Sequence, residues 1–144
     1  MASVFTKIDH VGIAVADLDA AVASYERLTG SAPSHRQVVE SDGIEAVMFE
    51  VGESRIELLG STGSGSRIAR FLERRGPGLH HVAYGVDDVQ ASLDRFAGLG
   101  LQLLDTCPRR GAGGRLVAFL HPSAGDGVLI ELCQPDGEQA GEHA

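Results

Sequence analysis

Tryptophan is missing from this sequence, and aromatic residues of all kinds make up only 5% of it. The core therefore has to be assembled from Val, Leu, Ile and Ala. Cysteine is almost as scarce. Cys107 and Cys133 could close one disulfide at most. Each lies in or beside an apolar run, where a free thiol serves as a small buried hydrophobe. No apolar stretch approaches the ~18 residues that read as a membrane-crossing helix. The opening MASVFTKIDH has one lysine and no apolar core long enough for a secretion signal. No membrane partner is expected, and the cytoplasm is the expected compartment. Positive charge is also in deficit, with 12 Lys and Arg against 20 Asp and Glu and a net charge of −8. That argues against nucleic acid as a partner. An anionic small molecule stays open, because Arg67–Arg75 and Arg109–Arg115 concentrate cations locally.

What is present is glycine, 19 residues of 144, and a pattern that occurs twice. Ile8–Ala16 reads as a strand, apolar on both faces apart from His10. Asp17 caps a helix, Asp17–Leu28, with Leu18, Ala21, Val22, Tyr25 and Leu28 on its apolar side, and Gly30 stops it. Strands are predicted over Ser34–Val39, Ile44–Val51 and Arg55–Leu59, with a turn at Ser41–Gly43. A glycine- and serine-rich stretch, Gly60–Gly65, leads into a short helix, Ser66–Arg75. The series then restarts. Leu79–Val86 is a strand, Asp87 or Asp88 a cap, and Val89–Leu99 a helix with Val89, Leu93 and Phe96 inward. Leu101–Thr106 is read as a strand, Arg109–Gly114 as a loop, and Leu116–His121 and Gly127–Cys133 as strands. The acidic tail Pro135–Ala144, which includes His143, has no apolar anchor and is expected to fray.

The repeat is an internal duplication. IDHVGIAVADLDAAVASY from Ile8 lies over LHHVAYGVDDVQASLDRF from Leu79 at an offset of 71, and RIELLG from Arg55 over LIELCQ from Leu129 at 74. The predicted fold class is α+β: two tandem βαβββ modules closing a curved mixed sheet around a metal-binding cup. The expected domain runs from 5 to 134, with modules at about 5–60 and 79–134 and a linker with a short helix at 61–78.

Four polar residues interrupt otherwise apolar strands at repeat-equivalent places: His10 with His81, and Glu57 with Glu131. A buried carboxylate is costly without a counter-charge, and two facing carboxylates repel. A divalent cation removes both costs, and two imidazoles with two carboxylates suit Zn, Fe, Co, Ni or Mn. Strand alternation puts Ile8, Gly12 and Ala14 on the face of His10, and Ala83 and Gly85 on that of His81. His80 lies one residue off that face and is a candidate substrate contact. His121 reads as structural.

IDHVGIAV, RIELLG, GPGLHHVAYGVDDV, RRGAGGRLVAFLHP and GVLIEL together resemble the methylmalonyl-CoA epimerase family of the vicinal oxygen chelate superfamily, over roughly Phe5 to Gln134. The resemblance implies one divalent metal, such as Co, Mn, Zn or Ni, on His10, Glu57, His81 and Glu131. It implies an acyl-CoA thioester substrate, (2R)- or (2S)-methylmalonyl-CoA, whose α-proton is taken from one face and returned to the other. It also implies a homodimer. Glu131 resembles the ligand that doubles as a base. The family's second glutamate falls on Ala46 here. Glu45 is then the candidate second catalytic residue if a bulge turns it inward, with Glu50 or water as the other options. Arg109, Arg110, Gly113 and Gly114 form a loop suited to an anionic group, and Ser66 opens a helix whose amides could hold another. Two other readings fit the same residues: a glyoxalase I-like lyase or an epimerase of another α-branched acyl-CoA, and a non-catalytic module that binds a small molecule.

Overall fold

The computed structural model describes residues 3–134. The expectations for Pro135–Ala144, including His143, lie outside the described residues. The order is β1 (Lys7–Ala14), α1 (Leu18–Thr29), β2 (His35–Val39), β3 (Ile44–Val51), β4 (Ser54–Ser61), α2 (Arg67–Arg75), β5 (Gly78–Gly85), α3 (Val89–Gly98), β6 (Arg109–Arg110), β7 (Leu116–Leu120) and β8 (Ile130–Cys133). This is an α+β chain of two βαβββ modules joined through α2. Among the described residues, no helix is long and apolar enough to cross a membrane.

Both modules are wired alike. In the first, the strand order is β2-β3-β4-β1, with β1 parallel to β4 and the hairpins antiparallel. In the second it is β6-β7-β8-β5, with β5 parallel to β8. The first strand joins the last one because a helix crosses back over the sheet, as parallel pairing requires. The helices start at equivalent aspartates. Asp17 accepts from the Ala20 amide at 3.1 Å and Asp88 from the Ala91 amide at 3.0 Å. Gly30 ends α1 with φ 73°, the left-handed conformation that glycine adopts without strain.

Each module has its own apolar layer under its helix. Val15, Val22, Val47, Phe49 and Leu58 form one, with Leu18, Ala21 and Tyr25 packed against it. Val86, Val89, Leu93, Phe96, Ala118, Leu120 and Leu132 form the other, with Phe5 packed against it. Leu28, which spacing groups with the apolar side of α1, is instead exposed, so the packed stripe ends at Tyr25.

The chain divides into two compact units that do not coincide with the sequence repeat. One contains Met1–Asp9 with His81–Ala144, the other His10–His80. Phe5 and Thr6 therefore pack with the second module. Phe5 stacks on Tyr84 with ring centroids 4.2 Å apart and meets Phe96 edge-on, and the Thr6 amide donates to the Gly85 carbonyl at 2.8 Å.

Two expectations need correction. Leu101–Thr106 is not a strand; Leu103 makes a single bridge to Leu120. The Leu104 and Asp105 amides both turn onto the Phe119 carbonyl, and the Asp105 carboxylate accepts from the Phe119 amide at 2.8 Å. A side chain thus occupies the β7 donor that a ladder would need. The edge strand is instead β6, formed within the expected loop. Cys107 is exposed rather than buried, while Cys133 is buried, and no disulfide joins the two.

Candidate metal centre

The β1–β4 register pairs Gly12 with Glu57, and β3–β4 pairs Met48 with Glu57. Paired residues share a sheet face and residues two apart return to it. His10, Gly12, Glu57, Met48 and Ala46 therefore line one face of the first module. The other face carries Ile13, Leu58, Val47 and Phe49 into the helix layer. His10 Nε2 lies 3.4 Å from Glu57 Oε1.

The second module repeats this. Ala83 pairs with Glu131, and Phe119 with Glu131, so His81, Ala83, Glu131 and Phe119 share a face. Tyr84, Leu132 and Ala118 face the helix side. His81 Nε2 lies 3.1 Å from Glu131 Oε1. His10 and His81 are each 3% exposed, Glu57 6% and Glu131 7%. These four buried residues form a group that could hold a metal ion, with one ligand atom from each within 4.8 Å of the others.

Two glutamates in so small and dry a volume would repel each other and lose hydration. An imidazole N–H can replace part of the lost hydration, but a neutral ring leaves the two carboxylate charges opposed. A divalent cation relieves both, and nitrogen and oxygen donors in equal number fit a borderline metal. The donor set therefore fits one divalent ion.

The arginine loop splits by register. Arg109 pairs with Val117, two residues before Phe119, and so stands on the Glu131 face. Its guanidinium sits 5.5 Å over the Phe119 ring, and that ring meets His81 edge-on at 5.6 Å. Its Nε lies 3.8 Å from an Asp105 oxygen. Arg110 stands on the opposite face and donates to the Gly114 carbonyl at 2.6 Å. Gly113 and Gly114 both have φ 75°, so two consecutive left-handed residues make the turn. Ser66 accepts from the Ala69 amide at 3.0 Å as the cap of α2, and its hydroxyl also meets that of Ser61 at 2.8 Å. His80 is half-buried against the edge of Phe71, with centroids 5.0 Å apart. His121 accepts from the Ser123 amide at 3.0 Å, a structural cap.

β3 pairs with β4 in unbroken register from Ile44 to Val51, so no bulge turns Glu45 inward. Glu45 lies on the face opposite Glu57. Its carboxylate accepts from Arg36 Nε at 2.8 Å, and the same arginine reaches Asp19 on α1 at 2.8 Å. Glu45 first and then Asp19 hold the Arg36 pKa above its ordinary value. Glu50 accepts from the Ser34 hydroxyl at 2.7 Å.

Sequence reasoning passed over one buried pair. Asp9 and Arg115 are 1% and 5% exposed. Arg115 Nη2 donates to Asp9 Oδ2 at 2.8 Å and Nη1 to Oδ1 at 3.1 Å. The available signal was a charge directly before His10, in a strand with little other charge.

Comparison with known proteins agrees with this geometry. Residues 9–119 match the model of the glyoxalase/bleomycin resistance protein/dioxygenase superfamily. The chain is 39% identical over 130 residues to the ethylmalonyl-CoA/methylmalonyl-CoA epimerase of Cereibacter sphaeroides, covering 89% of this chain and 97% of that one. The crystal structure of methylmalonyl-CoA epimerase from Mycobacterium tuberculosis superposes with TM-score 0.88 at 37% identity, over 94% of this chain and 91% of that one. A substituted Streptomyces coelicolor methylmalonyl-CoA epimerase in complex with 2-nitronate-propionyl-CoA gives TM-score 0.87 at 38% identity, over 90% and 94%.

Proposed function

The chain belongs to the glyoxalase/bleomycin resistance protein/dioxygenase superfamily and, within it, to the methylmalonyl-CoA epimerases, and from that premise we propose that it interconverts (2R)- and (2S)-methylmalonyl-CoA. The observation that carries the reading is the buried group of His10, Glu57, His81 and Glu131. These four are the metal ligands. The ion would polarise the thioester carbonyl and so stabilise the enolate left when the α-proton departs.

The remaining work belongs to the chain. Glu131 takes the α-proton at C2 as a general base, a role its buried carboxylate beside Phe119 supports. Because the enolate is planar, inversion requires a second group on the opposite side. Glu45 is engaged by Arg36 and Glu50 by Ser34, which counts against both. The remaining nearby carboxylate is Glu40, exposed in the 3-10 turn between β2 and β3; it or a water molecule is the candidate for the second group. Arg109 holds an anionic part of the acyl-CoA, with Gly113 and Gly114 letting it approach; Ser66 and His80 contact it farther out. Arg110 is the weaker candidate because it faces the other way. Residues 5–134 act as one catalytic domain, since each module supplies a single His–Glu pair. A cytoplasmic homodimer completes the proposal, on the family resemblance alone.

The test is exchange of the C2 proton of methylmalonyl-CoA in heavy water, followed by NMR with and without prior chelation. Chelator-sensitive exchange is expected. Turnover of a hemithioacetal in its place would move the chain to a glyoxalase-like role, and no exchange with intact metal binding would make it a binding module.

A further inference from the structure

The Asp9–Arg115 pair plays no part in the chemistry assigned above, yet it is among the most deeply buried polar features of the molecule. Two-pronged contact between a guanidinium and a carboxylate fixes direction as well as distance. Asp9 is further held by Lys7 Nζ at 3.8 Å and by the Cys133 thiol, which donates to Oδ2 at 3.8 Å. Stability is a poor explanation for such a pair. Removing two charges from water offsets most of their attraction, and well-packed apolar residues often serve a fold as well or better.

Position explains it better. Asp9 is bonded directly to His10. Cys133 stands two residues beyond Glu131 on the same face of β8. Arg115 closes the glycine turn: the Gly111 amide donates to its carbonyl at 2.9 Å, and a Cβ on Gly111 would meet Val117 at 3.0 Å, so the turn has little slack. The pair thus ties together the backbone beside His10, the strand of Glu131 and the base of the loop that carries Arg109.

We propose that Asp9 and Arg115 are positioning residues that set the aim of His10 and the seat of the Arg109–Gly114 loop. The inference rests on the metal reading of the four-residue group. Groups that orient metal ligands typically change metal affinity or activity by about 10–100-fold when removed, and a pair acting through the backbone belongs at the lower end.

The decisive variant is the double substitution Asp9→Leu with Arg115→Met, which removes both charges together and leaves neither stranded. Metal affinity is measured by titration of the chelated protein with Co(II), alongside the thermal midpoint, kcat and KM. The expected result is a near-unchanged midpoint with Co(II) binding weakened about tenfold and kcat reduced by a similar factor. Leu93→Ala, in the apolar layer under α3 and remote in sequence from all four ligands, serves as the control, lowering the midpoint with Co(II) affinity intact. Unchanged affinity and kcat in a folded double variant overturn the proposal. If the double variant does not fold, Arg115→Lys decides. It keeps the charge and loses the two-pronged grip, and wild-type affinity in it overturns the proposal equally. A wild-type protein that binds no Co(II) defeats the metal reading itself, whereas wild-type binding matched by both variants defeats only the positioning role.

Discussion

Glu57 faces Met48 across the β3–β4 ladder and has Gly12 beside it on β1. Glu131 faces Phe119 across the β7–β8 ladder and has Ala83 beside it on β5. The two carboxylates descend from one repeated position, and each meets its histidine at a similar distance. Their neighbours have diverged. Around Glu57 the shared face is a thioether and small residues. Around Glu131 it is an aromatic ring with the Arg109 cation over one side and the His81 edge at another. The His–Glu pairing is kept in both halves, as a shared metal would require. Duplication left the surrounding side chains free to differ, and the proposed base, Glu131, and the proposed anion-binding Arg109 both belong to the second module.

The largest test of this comparison treats the halves as equal. His10→Ala and His81→Ala should each abolish stoichiometric metal and, with it, proton exchange, as read by elemental analysis of protein purified without chelator. A variant that keeps its metal would remove that histidine from the ligand set. The next test asks whether the halves differ. Glu131→Gln should lower kcat by about 10²–10⁴-fold, the usual contribution of a general base, with metal retained because an amide oxygen still ligates. Glu57→Gln should stay within about tenfold of wild type. Equal losses at both sites would make the halves functionally alike. Arg109→Met should raise KM for the acyl-CoA by about tenfold or more, the scale of one charge-assisted hydrogen bond, while Arg110→Met leaves KM unchanged. The smallest effects should be symmetrical again. Asp17→Ala and Asp88→Ala each remove one helix cap and should cost about 1 kcal/mol in urea denaturation. Glu45→Ala should leave the rate untouched, which separates it from Glu40→Gln.

The buried His10, Glu57, His81 and Glu131 group, which could hold a metal, was legible in the sequence because duplication doubles the signal: a histidine or glutamate in one apolar strand is ambiguous, and the same residue at the equivalent place in a second strand is much less so. The helix caps and most strands followed from local spacing for the same reason. Features set by distant partners were hidden. Asp9 and Arg115 meet across 106 positions, so the charge before His10 was a local hint whose partner no local pattern could name. The 101–106 segment has strand composition, but the Asp105 side chain takes the β7 amide that would have paired it. Glu45 and Glu50 were proposed from proximity in sequence, and only the unbroken β3–β4 register and the Arg36 and Ser34 contacts show where their carboxylates are spent.

The mismatch between the repeat and the compact units has an evolutionary and a practical side. A fragment cut at the repeat boundary and beginning at Leu79 would contain a complete copy of the ancestral motif. It would nonetheless lack Phe5, the ring that stacks on Tyr84, and would strand Arg115 in the interior without its counter-charge. Such a fragment should be a poor independent folder, whereas a circular permutant that keeps residues 5–9 attached ahead of His81 would preserve those contacts. Half of the gene is not half of the protein, and the overhang ending at Asp9 records how firmly the two copies have been spliced since they were joined.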